Sequence, residues 1–67
     1  MNEPRYPNIT VKLVGEDGNG LAILARAINA ARKGGLSVEE IAKFRNEATS
    51  KDYDHLLATC MTWFEVE

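Results

Sequence analysis

The sequence predicts a small α+β domain built from one strand, three helices and a second strand, in that order. Two observations predict it: an apolar alternation near the N-terminus is typical of a strand, and three later segments repeat their apolar residues at helical spacing. The last of these segments changes to alternation near the C-terminus, which predicts the second strand. We expect the helices to pack on a short two-stranded antiparallel ribbon, which dimerisation would extend.

The chain begins with an extended lead-in at residues 1–8, where Pro4 and Pro7 stand among polar residues. Residues 9–14 follow as a half-buried strand, because apolar and polar side chains alternate there. We therefore assign residues 9–67 to a single domain. At 67 residues the chain is close to the lower size limit for folding alone, so a homodimer is an expected source of added stability.

A glycine-rich turn at residues 15–20 separates the first strand from the first helix. Its glycines provide turn geometry, and either Asp17 or Asn19 is a candidate N-cap. The first helix is predicted at residues 21–33, where alanine and other strong helix formers predominate. Its buried face is expected to be a broad one. The stripe consists of Leu21, Leu24, Ala25, Ile28 and Ala31, and Ile23, Ala27 and Ala30 widen it.

The second helix begins with a capping box, in which Ser37 accepts from the N–H of Glu40 and Glu40 reaches back to the N–H of Ser37. Leu36 and Ile41 occupy the positions of a hydrophobic staple. The helix is predicted to end near Ala48. The residues expected in its buried face are Val38, Ile41, Phe44 and Ala48.

The third helix is predicted to begin after Ser50 or Asp52 and to change into the terminal strand from about Thr62. Its apolar face is expected to be Tyr53, Leu56, Leu57, Cys60, Met61 and Phe64. The terminal strand is predicted at residues 63–66. The sequence leaves open whether this strand pairs with the first strand of its own chain or with another copy.

The net charge of −2, with acidic and basic residues interspersed, argues against a nucleic-acid-binding protein, which normally carries a basic stripe. No apolar run approaches a membrane span, and the N-terminus lacks the apolar core of a signal peptide. We therefore expect a cytoplasmic protein that does not bind membranes. One cysteine and one histidine make neither an internal disulfide nor a structural zinc site, and no metal or cofactor is expected.

The glycine-rich turn is a candidate ligand site, because nucleotide-binding proteins hold phosphate in a loop between a strand and a helix. The candidate residues are Asp17, Gly18, Asn19 and Gly20. The spacing matches no phosphate-binding fingerprint, no lysine follows, and Glu16 and Asp17 would repel an anion. A tight turn with a helix cap is the expected role, and binding of a small anionic or nucleotide ligand is the alternative.

Trp63 is the leading candidate for a protein interface. If Phe64 and Val66 face the core, Trp63 points outward beside Glu65, and large exposed aromatic side chains often anchor interfaces. The alternative is that Trp63 covers the small core. The interface candidates are Trp63, Tyr6, Glu65 and Tyr53.

Two further patterns in the sequence indicate structural roles and do not indicate a catalytic or DNA-reading site. Cys60 lies on the apolar stripe of the third helix and diverges from His55 by more than a quarter turn, so we expect a packed cysteine and no enzyme site. The segment from Gly35 to Lys43 resembles the opening of a helix-turn-helix unit. The next helix, however, begins with acidic residues instead of the Arg, Lys, Asn or Gln that read bases.

Three segments together carry a resemblance to a known family: residues 17–19 (DGN), 47–57 (EATSKDYDHLL) and 60–66 (CMTWFEV). With them the chain resembles, from Val11 onward, a family of small uncharacterised proteins of bacteria, phages and other mobile elements. Members more often carry alanine and an aromatic residue where this chain has Gly20 and Leu21, which implies a local difference at the helix start. The resemblance implies a phage or prophage accessory protein and supplies no activity, cofactor or catalytic residue.

The first functional hypothesis is a non-enzymatic protein-interaction module that binds a host or phage protein, for example as an inhibitor of a host defence system. The second is a binder of a small anionic or nucleotide ligand at residues 15–20. The third is a DNA-binding regulator, which the charge balance opposes.

Overall fold

The computed structural model describes residues 3–13 and 19–67, which form a strand, three helices and a second strand in the predicted order. The elements are β1 (Tyr6–Val11), α1 (Gly20–Lys33), α2 (Val38–Ala48), α3 (Tyr53–Trp63) and β2 (Phe64–Val66). The predicted α+β class is therefore confirmed. All three helices contact one another, and α1 and α3 also pack on β1.

The two strands pair with each other within the chain, but they run parallel, so the predicted antiparallel arrangement is wrong. Tyr6 lies opposite Phe64, Thr10 opposite Glu65 and Val11 opposite Val66, with an irregularity in register between Tyr6 and Thr10. A parallel pair needs a crossover connection of about a dozen residues or more, whereas a tight hairpin makes strands antiparallel. Residues 12–63, with their three helices, provide that crossover.

β1 begins at Tyr6, within the segment predicted as a lead-in, and ends at Val11. Its alternation buries Ile9 and Val11 and leaves Asn8 and Thr10 exposed. The strand extends to Tyr6 because the ring of this residue packs beside the aromatic rings at the end of the chain. Residue 14, predicted as the end of the strand, lies outside the described residues.

α1 is capped by Asn19, one of the two predicted alternatives, whose side chain accepts from the N–H of Leu21 at 2.8 Å. Its buried residues are Ile23, Ala27 and Ala31. Leu21, predicted in the buried face, is 78% exposed. Apolar residues surround most of α1, so their period alone does not select a face. The observed buried face includes Ala27 and Ala31, whose small side chains let other elements approach closely, whereas Ala25 is exposed.

α2 is capped by Ser37 as predicted, with the Ser37 hydroxyl oxygen 3.1 Å from the N–H of Glu40. The side chain of Glu40 is engaged elsewhere, because it accepts from the Tyr6 hydroxyl and pairs with Lys43 at 3.4 Å. The second hydrogen bond of the predicted capping box, from the N–H of Ser37 to the Glu40 carboxylate, is therefore replaced. The contact with Tyr6 connects α2 to β1, and the pair with Lys43 lies within α2.

The buried face of α2 centres on Phe44 and Ala48, as predicted, and Ile41 is half-buried. Val38 is 83% exposed, in contrast to the prediction. At about 100° per residue, a side chain six positions before Phe44 points about a third of a turn away from it. A face built on Phe44 therefore excludes Val38.

α3 continues through Trp63, which was predicted to be the first residue of the terminal strand. Its buried residues are Leu56, Thr59, Cys60 and Trp63. Trp63 is 4% exposed, so its expected outward orientation is wrong, and the alternative of a core position holds. Tyr53 and Met61, expected on the inner face, are 45% and 63% exposed.

Aromatic rings connect the elements at the centre of the core. The ring of Phe44 lies 5.0 Å from that of Phe64 and 5.6 Å from that of Trp63, both at steep angles. The ring of Tyr6 lies 5.9 Å from that of Trp63. Offset and edge-to-face aromatic contacts at such distances are favourable beyond area burial. The edge-to-face contacts of Phe44 connect α2 to α3 and β2, and the tilted contact of Tyr6 with Trp63 adds the start of β1.

Candidate functional site

An open groove of about 620 Å³ runs along β1, on the side away from β2, and is called the β1 groove below. One wall consists of residues 8–12 in succession. The other wall is one face of α1, formed by Arg26, Asn29, Ala30, Lys33 and Gly34. Successive strand residues point their side chains to opposite faces of a sheet, so a groove lined by all of them follows the edge of the strand.

The backbone of β1 directs hydrogen-bonding groups into this groove. The Leu13 N–H donates to the Glu67 carbonyl at 2.6 Å, and the Glu67 N–H donates to the Val11 carbonyl at 3.0 Å. Val11 and Leu13 therefore face the terminal strand. Since the backbone groups of a strand alternate between its two edges, those of Thr10 and Lys12 face the groove. No third strand pairs with this edge in the part of the chain that the structure describes.

The charged residues among the described lining of the β1 groove are all basic, although the net charge of the chain is −2. Lys12 on the strand wall and Arg26 and Lys33 on the helix wall are the charged residues among those described, and no described carboxylate lines the groove. Arg26 is half-buried and has an interaction of its own. Lys12 and Lys33 are exposed and form no ion pair within residues 3–13 and 19–67. Two ammonium groups thus remain available, one on each wall.

The shape of the β1 groove depends on the close approach of α1 to β1 at Gly34. A Cβ at this position would lie 2.5 Å from Cδ1 and 2.6 Å from Cγ1 of Ile9, far inside contact distance. Only glycine permits this approach without movement of Ile9. Gly35 follows with a φ of 88°, a left-handed conformation that ends the helix and directs the chain away from the groove.

Two predicted interface residues, Trp63 and Tyr6, lie in a cluster at the opposite end of β1. The Trp63 Nε1 donates to the Glu47 carboxylate at 2.6 Å, and the Arg5 guanidinium lies 4.4 Å from the centroid of the Trp63 ring. The Tyr6 hydroxyl donates to Glu40. The polar atoms of both aromatic side chains are therefore satisfied inside the chain, and the cluster fastens β1 to α2 and α3.

The hydrogen bond between Tyr6 and Glu40 shifts both pKa values. It lowers the pKa of the Glu40 carboxyl, with Lys43 acting in the same direction and partial burial acting against it. The same hydrogen bond is the main reason that the pKa of Tyr6 is raised. At neutral pH the pair is therefore a protonated donor and an ionised acceptor, the form in which a charge-assisted hydrogen bond is strong.

Tyr53 and Gly20, predicted for different sites, border the same apolar hollow of about 330 Å³ between the first turns of α1 and α3. Gly20 lies close to α3, because a Cβ there would be 3.6 Å from a methyl carbon of Leu56. Gly20 is thus a packing residue, and Tyr53 forms a half-exposed rim beside it.

Two of the loop candidates, Asp17 and Gly18, lie outside the described residues. Asn19 uses its side-chain oxygen to cap α1, the structural role expected for this loop. A small anionic ligand at the loop stays a prediction. Glu65 is exposed on β2 opposite Thr10, and its interface role stays a prediction as well.

Cys60 is fully buried, and this burial raises the pKa of its thiol to about 11.

The His55 Nε2 donates to the Glu47 carbonyl at 2.9 Å and lies 3.2 Å from the Ser50 hydroxyl, so His55 caps the C-terminal end of α2. Residues 3–13 and 19–67 contain no group of three or more acidic, His or Cys side chains that could hold a metal. Across those residues, no helix has the length and hydrophobicity needed to cross a bilayer.

The sequence analysis did not identify Lys12 and Lys33 as site residues. A signal was present, because Arg26, Asn29 and Lys33 recur at i, i+3 and i+7 and form a polar stripe on an otherwise apolar helix. The sequence did not reveal which strand edge this stripe would face, since that depends on the parallel pairing of β1 with β2.

Comparison with known proteins gives one result: no family model, curated protein or solved structure matches the chain significantly. The resemblance to small bacterial and phage proteins therefore stays a prediction.

Proposed function

We propose that the protein is a small non-enzymatic interaction module that binds an extended segment of a partner protein in the β1 groove. The observation that carries the proposal is a strand edge with no strand partner among residues 3–13 and 19–67, set opposite a helix face across an open groove. A partner of phage or host origin agrees with the resemblance to phage accessory proteins. Inhibition of a host defence system and action in the cytoplasm remain predictions within this proposal.

Strand addition is the binding mode that this geometry favours. An exposed edge presents unpaired N–H and C=O groups that serve as a template for another chain. In β-augmentation, an extended peptide takes up those groups by main-chain hydrogen bonds, and neighbouring pockets select its side chains. Here Thr10 and Lys12 supply the main-chain groups, and the face of α1 supplies the second wall.

A two-stranded sheet is marginally stable in water by itself, and here the packing of α1 and α3 on β1 supports it. β2 is only three residues long and pairs irregularly with β1. A bound segment would therefore stabilise the fold through mass action, because it binds the folded chain and not the unfolded one.

A DNA-binding role receives less support from the surface of α3, the helix that would follow the turn in a helix-turn-helix unit. α3 spans Tyr53–Trp63 and contains neither lysine nor arginine. Reading helices usually carry such side chains toward base edges and phosphates. A ligand at the glycine-rich loop remains the second prediction of the sequence, with no further support from the described residues.

The test is selection of short random peptides displayed on a surface, using the folded protein as bait. Selected peptides are then measured against Thr10→Pro and Thr10→Val. Proline removes the N–H that faces the β1 groove but leaves the N–H groups of Val11 and Leu13, which face β2, in place. Valine keeps the N–H and a similar shape, so it is the matched control.

The proposal predicts that the selected peptides bind the wild type and Thr10→Val equally and lose affinity for Thr10→Pro. Circular dichroism of both variants checks that the fold is kept. Peptides that bind Thr10→Pro as tightly as the wild type, or a selection that enriches no peptide, would contradict strand addition at this edge.

A further inference from the structure

We propose that the segment accepted by the β1 groove is acidic, with carboxylates that pair with Lys12 on the strand wall and Lys33 on the helix wall. This inference rests on the proposed function and names the chemistry of the partner. It depends on a separate observation, the charge of the groove, whereas the proposed function depends on the unpaired strand edge.

Both lysines are available for an incoming carboxylate. They are exposed, and neither lies within ion-pair distance of a carboxylate in residues 3–13 and 19–67. Glu65 on β2 lies opposite Thr10, and the hydrogen bonds of Glu67 with Val11 and Leu13 place it opposite Lys12, outside ion-pair distance of that lysine. The basic groove on a chain with a net charge of −2 is therefore a local attraction for acidic segments, which speeds association and selects among partners.

The geometry of an added strand allows its carboxylates to reach both Lys12 and Lys33. Side chains at alternate positions of a strand lie on one face, and those directly opposite a neighbouring strand residue interact with it. A carboxylate opposite Lys12 would form such a cross-strand pair. Lys33 stands on the helix wall, so it would meet a second carboxylate on the side of the segment that faces α1.

A peptide explains the groove better than a phosphate group does. The edge presents both N–H and C=O groups at Thr10 and Lys12, and a phosphate would satisfy only the donors. A peptide backbone satisfies donors and acceptors together. Two available lysines are also fewer cations than the basic stripe of a nucleic-acid-binding surface.

The experiment is a fluorescence anisotropy titration of the full chain with three labelled peptides of equal length. The first repeats the unit Glu-Glu-Thr-Thr, which places glutamates on both faces of a strand, as pairing with Lys12 and with Lys33 requires. The second carries glutamine and the third carries lysine in place of each glutamate. We expect the glutamate peptide to bind about tenfold tighter than the glutamine peptide at low salt, and the difference to shrink as salt rises. The lysine peptide should bind weakest.

Charge reversals on the protein test the two named residues. Lys12→Glu and Lys33→Glu should each weaken binding of the glutamate peptide on the order of fivefold, since each replaces an attraction by a repulsion at an exposed site. Lys51→Glu makes the same change in net charge outside the β1 groove and should leave the affinity unchanged. The double reversal should favour the lysine peptide.

The outcomes separate this inference from the proposed function. Equal affinity for the glutamate and glutamine peptides would overturn the acidic preference, and the proposed function would stand if Thr10→Pro still abolished binding of both. Displacement by inorganic phosphate or by a single-stranded oligonucleotide at the same anion concentration would overturn the inference in favour of a general anion site. Binding that is unaffected by Thr10→Pro would remove strand addition, even if acidic peptides were still preferred.

Discussion

Gly34 shows at the scale of one residue how the groove and the fold depend on the same contact. The position lies where α1 meets β1, and any side chain there would enter the space of Ile9. We predict that Gly34→Ala lowers the free energy of unfolding by about 1–3 kcal/mol, the usual cost of overpacking. Urea denaturation of both proteins measures the difference.

The control for this prediction is the same substitution in an Ile9→Ala background. Without the large side chain of Ile9, the added methyl group has room, so Gly34→Ala should cost much less there. An equal cost in both backgrounds would show that the steric contact with Ile9 is not the cause.

Cys60 is predicted to be chemically inert in the folded protein. Its thiol is buried, and the pKa of about 11 keeps it protonated at neutral pH. A thiol-reactive disulfide reagent at about pH 8, near the ordinary cysteine pKa, should react slowly with the native chain and rapidly once urea unfolds it. Rapid reaction of the native chain would contradict a structural role for Cys60.

Predictions for single residues are confirmed where a local hydrogen bond determines the conformation. They are wrong where the packing of elements determines which side chains are buried. The caps at Asn19 and Ser37 were predictable, because a side chain bonds to a backbone group two or three residues away. The burial or exposure of Leu21, Val38 and Trp63 was not predictable in this way. Their orientation depends on which side of a broadly apolar helix meets another element.

At the scale of elements, the contact between β1 and α2 makes a pH-dependent contribution to stability. The pKa of Tyr6 is raised, so its contribution is complete below the ordinary tyrosine pKa near 10 and is lost as the pH rises through the raised value. The pKa of Glu40 is lowered, so its contribution is complete above the ordinary value of 4.5 and is lost as the pH falls through the lowered value.

We therefore predict that Tyr6→Phe lowers the free energy of unfolding at neutral pH and that the difference from the wild type shrinks toward both extremes. Urea denaturation of the two proteins across the pH range measures this difference, in which titrations elsewhere in the chain cancel. A difference that is the same at every pH would contradict the hydrogen bond between Tyr6 and Glu40.

The order and type of the elements follow from the sequence, but the pairing of the strands does not. The alternation that predicts a strand at residues 9–14 and the capping signal at Ser37 both act locally. β1 overlaps the predicted strand at residues 9–11, and Ser37 caps α2. The parallel pairing of β1 with β2 depends on how the chain runs through all three helices, so no local sequence pattern predicts it. The β1 groove follows from that pairing, so it was also beyond the reach of sequence analysis.

At the scale of the whole molecule, one sheet edge and one helix face form the proposed binding surface of a very small protein. The core occupies one side of β1, and the terminal strand takes one of its edges. The other edge has no strand partner among the described residues, and the positively charged residues Lys12 and Lys33 lie beside it. Binding of an extended segment there would complete a three-stranded sheet and would raise the stability of the fold.

The most direct test of this account is residue-resolved amide hydrogen exchange with and without the peptide of repeating Glu-Glu-Thr-Thr units. The account predicts that the peptide slows exchange of the Thr10 and Lys12 amides, which face the β1 groove. The Leu13 amide, already bonded to Glu67, should change little and is the internal reference. Protection that appears elsewhere while Thr10 and Lys12 exchange as before would contradict strand addition at the β1 edge.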